Sequence, residues 1–267
     1  MSDEEKGDDG RQGIQSIEVG VPLLRALADH GGPMMLRDLA LRAGMPAAKA
    51  HRYLVSFART GLVVQEAHSG RYDLGPFALD LGLASIARLD AVRVATPVLE
   101  ALAEETGETV ALAVWGNLGP TIVRWVESRR PVTVNLRTGS VMPLLHSALG
   151  LCYVSFFDSA QLRAMVDEAL AINARGEDTR APITRAQLET LVAEARKRGL
   201  SRVTGSVLPG INAFAAPVFN HDGTMALAFA GLGPAGLVPA DWNGSLPQAI
   251  KAAAESASLR LGWHGAR

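Results

Sequence analysis

Ala47-Ala48-Lys49-Ala50-His51-Arg52-Tyr53-Leu54-Val55-Ser56-Phe57-Ala58-Arg59-Thr60 is the stretch on which the reading of the chain turns. At helical spacing, Ala50, Leu54, Phe57 and Ala58 share one face, and Lys49, Arg52, Ser56 and Arg59 share another. The stretch holds Lys49, Arg52 and Arg59 and no acidic residue. A helix that enters the major groove of DNA needs small residues at its start, so that the backbone comes close. It also needs basic side chains beside it for the phosphates. Ala47 and Ala48 supply the first and the three cations the second. An alanine methyl can also meet a thymine methyl. Lys49 and Arg52 suit base edges or phosphates; His51 suits either, or a supporting role in the fold. A charged face on an isolated helix can equally be a solvated surface, so the neighbours decide.

Upstream, Val21, Leu24, Leu27 and Ala28 repeat at helical spacing, and that helix ends at Gly31-Gly32-Pro33. Pro22 complicates its start, because proline sits well only in a first turn. Leu36 to Ala43 reads as a second short helix closed by Gly44, and the helix quoted above is closed by Gly61. Downstream, Leu62 to Glu66 and Arg71 to Leu74 are strand-like, joined by the turn His68-Ser69-Gly70. Three helices and a hairpin are the outline of a winged helix-turn-helix over residues 14–75. The candidate DNA-facing residues are Arg37, Ala47, Ala48, Lys49, His51, Arg52, Ser56, Arg59 and Arg71.

Gly75-Pro76 restarts helix, and residues 76–94 read as one linker helix with Leu79, Leu83, Ile86 and Leu89 along one side. Thr96-Pro97 then reads as the start of a further helix that stops at Gly107. After Gly107 the pattern changes to β-branched and aromatic runs. These are Thr109 to Trp115, Thr121 to Val126, Val132 to Leu136, Leu200 to Thr204, Ala213 to Phe219 and Thr224 to Leu232. Asp158 to Gln161 and Thr184 to Gln187 look like capping boxes, and Pro247 to Leu261 is a last helix. Strands interleaved with helices over 95–267 suggest an α+β sensor domain.

The 267 residues are comfortable for two domains. The formal net charge is −1, so any nucleic-acid surface is local. Residues 1–13 carry Asp3, Glu4, Glu5, Asp8 and Asp9 without aliphatics and read as a disordered acidic tail. With one cysteine, Cys152, no signal segment and no membrane-length apolar run, the expectation is a soluble cytoplasmic protein with no membrane partner. Neither a metal nor a cofactor is expected.

Ordered short motifs carry a resemblance to a known family. Ile14-Gln15-Ser16-Ile17-Glu18, Gly44-Met45-Pro46, His51-Arg52-Tyr53-Leu54 and Gly70-Arg71-Tyr72-Asp73-Leu74-Gly75 resemble the DNA-binding domain of IclR regulators. Pro143, Ser147-Ala148-Leu149-Gly150, Arg198-Gly199, Pro209-Gly210, Ala215-Ala216-Pro217-Val218-Phe219 and Gly233-Pro234 continue it in the family's order. The resemblance runs from about residue 14 to 262. It implies a GAF-like effector-binding domain with a six-stranded antiparallel sheet, joined to the winged helix by the linker helix. It also implies a homodimer, often assembled into a dimer of dimers, that reads an inverted-repeat operator in double-stranded DNA and binds a small-molecule effector. Two positions depart from the family pattern. Ala48 and Lys49 replace small hydroxyl residues, and Leu151 replaces a lysine.

The resemblance further implies an effector pocket lined by Val134, Leu136, His146, Ala148, Leu149, Val203, Ile211, Asn212, Ala213, Ala230 and Leu232. His146 and Asn212 are its expected polar side chains, and the amides of Ala148 and Leu149 can hold a carboxylate near a helix start. Val203, Ala213, Ala230 and Leu232 are apolar where acid-binding members place polar anchors. The expected effector is therefore an aromatic or weakly polar metabolite or organic acid. Two rival classes differ in kind. A GAF-like enzyme would use Cys152 with His146 as nucleophile and base, but aliphatic neighbours make that thiol look buried. A winged-helix protein-interaction module would not need the cations of the 47–60 helix.

Overall fold

A computed structural model describes residues 13–128, 135–175, 181–205, 207 and 209–265. The expected acidic tail lies outside the described residues save for Gly13. The chain divides into two compact units between Arg88 and Leu89.

The first unit contains α1 (Gln15–His30), α2 (Leu36–Arg42), α3 (Ala47–Arg59), the hairpin β1 (Val63–Gln65) and β2 (Tyr72–Leu74), and α4 (Pro76–Ala87). Its core is Leu23, Leu27, Leu39, Ala50, Leu54, Val63 and Tyr72. The buried face of α1 is Leu23, Ala26 and Leu27, whereas Val21 and Ala28 are exposed. The sequence pattern places that face a step away. Gly20 explains the difference: a Cβ there would lie 2.9 Å from both Tyr53 and Phe57, so the bare backbone lets the α3 aromatics close on α1. Pro22 lies in mid-helix rather than in a first turn. The amides of Met34 and Tyr72 exchange hydrogen bonds of 2.9 and 2.8 Å with each other's carbonyls, which fastens the hairpin to the helices.

The second unit begins with α5 (Ala91–Thr106), followed by β3 (Thr109–Gly116) and β4 (Gly119–Val126). Then come α6 (Ala148–Phe156), α7 (Ala160–Ala174), α8 (Arg185–Arg198), β5 (Ser201–Thr204), β6 (Ile211–Phe219), β7 (Met225–Pro234) and α9 (Ser245–Arg260). Among the described residues the sheet has five antiparallel strands in the order β4-β3-β7-β6-β5. The strand expected at 132–136 falls largely outside the described residues. One sheet face packs on α5 and α9 through Leu99, Leu112, Phe214, Phe229 and Ile250. The other packs on α6 and its neighbours through Ala111, Ala113, Leu149, Tyr153, Ala215 and Ala230. No helix among the described residues is long and apolar enough to cross a membrane.

Two local readings change. Residues 76–94 are not one helix: α4 ends at Ala87, and α5 starts after Asp90, whose carboxylate accepts from the Arg93 amide at 3.1 Å. That cap sets the start well before Thr96-Pro97, and Pro97 rides inside α5. Asp158 does not cap α7. Ser159 does, accepting from the Leu162 amide at 3.0 Å, while Gln161 turns to Trp115 and the Asn117 carbonyl. The second box, Thr184 with Gln187, forms as its spacing suggests.

Candidate functional site

Two sites are built on these units, and each is described within its own unit. In the first, Leu54 and Ala50 bury one side of α3, which turns Ala47, Ala48, Lys49, His51, Arg52, Ser56 and Arg59 outward. Arg37 on α2 and Arg71 just before β2 are exposed too, so every DNA-facing candidate lies on the surface. Lys49, Arg52 and Ser56 border a groove shared with Ser16 of α1, a residue the pattern of α3 alone could not supply. His51 has a second attachment. Its Nδ1 lies 3.4 Å from the Tyr72 hydroxyl, which ties the helix to the hairpin and favours a supporting role. The hairpin tip is held by the Gln65 side-chain amide, which donates to the Gly70 carbonyl at 3.0 Å. Gly70 at φ 72° makes the turn that an L side chain resists.

The second site lies between the sheet and the start of α6. Cross-strand partners share a face, so Trp125, Ala111, Ala230, Ala215 and Ser201 form one row across β4, β3, β7, β6 and β5. Leu232, Ala213 and Val203 form the next row. A floor built so largely of alanine leaves space beneath a helix. That space is a small apolar cavity of about 40 Å³ that opens to solvent. Leu136, Ala148, Leu149, Val203, Ile211, Ala213, Ala230 and Leu232 from the expected effector set line it. Val134 lies outside the described residues. Ser147, inside the expected turn 146–149, lines it too, and Ala111, Ile122, Trp125, Met142 and Val207, which were not anticipated, complete the lining.

His146 and Asn212 are corrections: neither lines the cavity. His146 is buried with Nε2 3.4 Å from the Asn173 amide. Asn212 sits one residue out of phase with Ala213, and its amide donates to the Val238 carbonyl at 2.8 Å. Both polar side chains tie loops to the framework, which is the usual reason for burying one.

Helix α6 is set by its first turn. Ser147 Oγ donates to the Pro143 carbonyl at 2.7 Å and accepts from the Gly150 amide at 2.8 Å. The hydroxyl is therefore committed, while the amides of Ala148 and Leu149 come too early in the helix to find an intrahelical acceptor. Tyr153 pins the helix to the sheet through a 2.8 Å bond from its hydroxyl to the Ala113 carbonyl. Cys152 is wholly buried, and burial pushes its thiol far above the usual range despite a hydrogen bond with Ser201. A thiol that stays protonated is a poor nucleophile.

Comparison with known proteins agrees at both ends. The model of the IclR helix-turn-helix domain matches residues 16–67. The model of the bacterial transcriptional regulator IclR C-terminal domain matches residues 83–259. The transcriptional repressor IclR of Escherichia coli K12 is 25% identical over 251 residues, covering 93% of this chain and 90% of that one. The HTH-type transcriptional repressor AllR of Klebsiella pneumoniae is 26% identical over 255 residues, covering 94% and 92%. Among solved structures, Pseudomonas aeruginosa HmgR is 36% identical, with a TM-score of 0.87 over 95% of this chain and all of that one. Agrobacterium tumefaciens repressor BlcR shares the fold at 20% identity, with a TM-score of 0.79 over 94% and 99%.

Proposed function

The chain belongs to the IclR family of bacterial transcriptional regulators, and from that premise we propose that α3 reads an operator while the cavity beneath α6 takes the effector. It is a ligand-controlled regulator with a helix-turn-helix DNA-binding domain and a C-terminal effector domain. The observation that carries the DNA assignment is the outer face of α3, exposed, cationic and free of acidic residues. The operator is an inverted repeat read by a homodimer, as two-fold symmetry requires. Support for a dimer is the apolar surface left on the first unit: Ile14 and Ile17 by α1, and Phe77, Leu79, Leu81 and Leu83 on α4 are all exposed. A monomer that shows so much apolar side chain has a surface to cover.

Selection of random duplex DNA against the purified protein tests this reading. An enriched inverted repeat is the expected result. A folded protein that enriches nothing, with and without a metabolite mixture, overturns it.

The effector is an aromatic or weakly polar molecule, or an acid whose carboxylate sits on the free amides of Ala148 and Leu149. Support is the lining itself, in which Ser147 and Trp125 are the polar side chains and no charged residue takes part. Effector binding shifts the spacing of the paired DNA-binding units through the segment 76–94, which requires unequal affinity for the two arrangements. Benzoate is therefore expected to raise the melting temperature and succinate to leave it unchanged; the reverse order removes the apolar-pocket reading. Ala230→Phe, which fills the cavity from its floor, is expected to abolish the benzoate shift. The variant's own fold should cost about 1–3 kcal/mol for the added volume. A benzoate shift of wild-type size in Ala230→Phe would place the ligand elsewhere.

A further inference from the structure

The strand β4 carries one extra residue. Leu112 faces Arg124 and Ala113 faces Ile122, so Val123 is bulged out of the ladder. A bulge resets which side chains share a face. Ile122 and Trp125, three apart, therefore both border the cavity, where strict alternation would separate them. Trp125 lies in the row over Ala111, whose small side chain leaves room for the indole.

The indole Nε1 of Trp125 is buried and has no hydrogen-bond partner among the described residues. Trp115 shows the usual arrangement, since its Nε1 donates to Gln161 Oε1 at 3.2 Å. Nothing nearby serves Trp125 in the same way. Ser147, the other polar side chain of the lining, uses its hydroxyl on Pro143 and Gly150. The remaining lining is aliphatic. A buried N–H left unpaired is costly to the protein and is relieved by any acceptor delivered to it.

We propose that the Trp125 indole N–H is the donor by which the cavity recognises an oxygen acceptor on an otherwise apolar ligand. This rests on the cavity being the effector site. It adds a selection rule to that site: a molecule of the right size without an oxygen at this position leaves the donor unpaired and binds weakly. A site that buries a polar group discriminates against the analogue lacking its partner far more sharply than an apolar wall does. The absence of charged side chains from the lining means that this acceptor is read by hydrogen bonding rather than by a counter-charge.

The test uses the whole chain labelled with ¹⁵N and with ¹³C in its alanine and leucine methyls, and two neutral probes of nearly equal shape, acetophenone and ethylbenzene. The four tryptophans yield four indole N–H signals, and Trp125→Phe identifies one by its loss. Acetophenone is expected to move the Trp125 indole proton downfield, with ethylbenzene leaving it near its free position. Trp125→Phe keeps a ring in place and is expected to weaken acetophenone about tenfold while changing ethylbenzene by under about twofold. The wild-type indole shift does not depend on the variant folding. If acetophenone moves the methyl signals of Ala230 and Leu232 but not the Trp125 indole, and binds Trp125→Phe equally well, the donor role is wrong and the cavity reading stands. If neither probe moves those methyl signals, the cavity reading falls and the donor role with it.

Discussion

Replacing Lys49 and Arg52 together by alanine is expected to weaken binding to the selected operator about a hundredfold or more at physiological salt, without lowering the melting temperature. Both side chains are exposed on α3 and border the groove beside Ser16. Neither has an ion-pair partner among the described residues. Their removal therefore takes little from the fold, within about 0.5 kcal/mol for surface substitutions of this kind. At the DNA the account is different. A hydrogen bond to a charged group is worth about 1.5–3 kcal/mol, so the loss of two exceeds about 3 kcal/mol, or some two decades in Kd. Each phosphate left without its cation should also lower the salt dependence of log K by roughly one unit per protomer. Fluorescence anisotropy at several salt concentrations measures both effects. Wild-type affinity in the double variant would remove α3 as the reading helix. A loss of affinity with an unchanged salt slope would assign Lys49 and Arg52 to base edges rather than phosphates.

Gly150→Ala is expected to destabilise the second unit by roughly 3 kcal/mol or more, lowering its melting temperature by about 6–12 °C. In an open helix the same change is favourable by about 1 kcal/mol, because glycine is the freer residue in the unfolded chain. Here the sign reverses because of what the new methyl would meet. A Cβ on Gly150 would lie 2.1 Å from the Pro143 carbonyl oxygen and 2.6 Å from Leu144 Cα. These are backbone atoms that cannot rotate away, and the Ser147 cap ties the same turn to Pro143. The first turn of α6 would have to lift from the chain it crosses, carrying the amides of Ala148 and Leu149 away from the cavity. Gly82 in α4 is the internal control. A Cβ there meets nothing within 4 Å, so Gly82→Ala should be neutral or stabilise by up to about 1 kcal/mol. Calorimetry on both variants separates the two cases. A Gly150→Ala protein that melts no lower than wild type would contradict the close crossing of α6 over Pro143 and Leu144.

Helix and strand identities were legible because each is a local property. The 3.6-residue spacing and the Gly44 and Gly61 stops marked α2 and α3, and the β-branched runs marked β3 to β7. The cationic, acid-free composition of α3 was equally readable, and with it the side of that helix turned to solvent. In the second unit, Ala213, Ala230 and Leu232 came from the family resemblance, and the structure puts them on the strand face that borders the cavity. Legibility failed where regularity fails. The bulge at Val123 put Trp125 on the cavity face, and no period-two count from Thr121 anticipates an inserted residue. It failed again at His146 and Asn212, since a polar residue amid apolar ones reads alike whether it greets a ligand or fastens a loop. Their partners, Asn173 and Val238, lie 27 and 26 residues away.

The sequence by itself determined the outline of the winged helix-turn-helix, the α+β character of the second unit and the basic face of α3. All of these depend on neighbours within a few positions, where periodicity, capping and turn chemistry act. Tertiary structure alone decided which side of α1 is buried, because Gly20 matters only once Tyr53 and Phe57 lie against it. It also decided that an alanine floor becomes a cavity, because space exists only between a sheet and the helix that fails to fill it. And it decided that Trp125 borders that space with an unused donor, because whether an N–H is satisfied depends on every group that folding brings within about 3 Å of it.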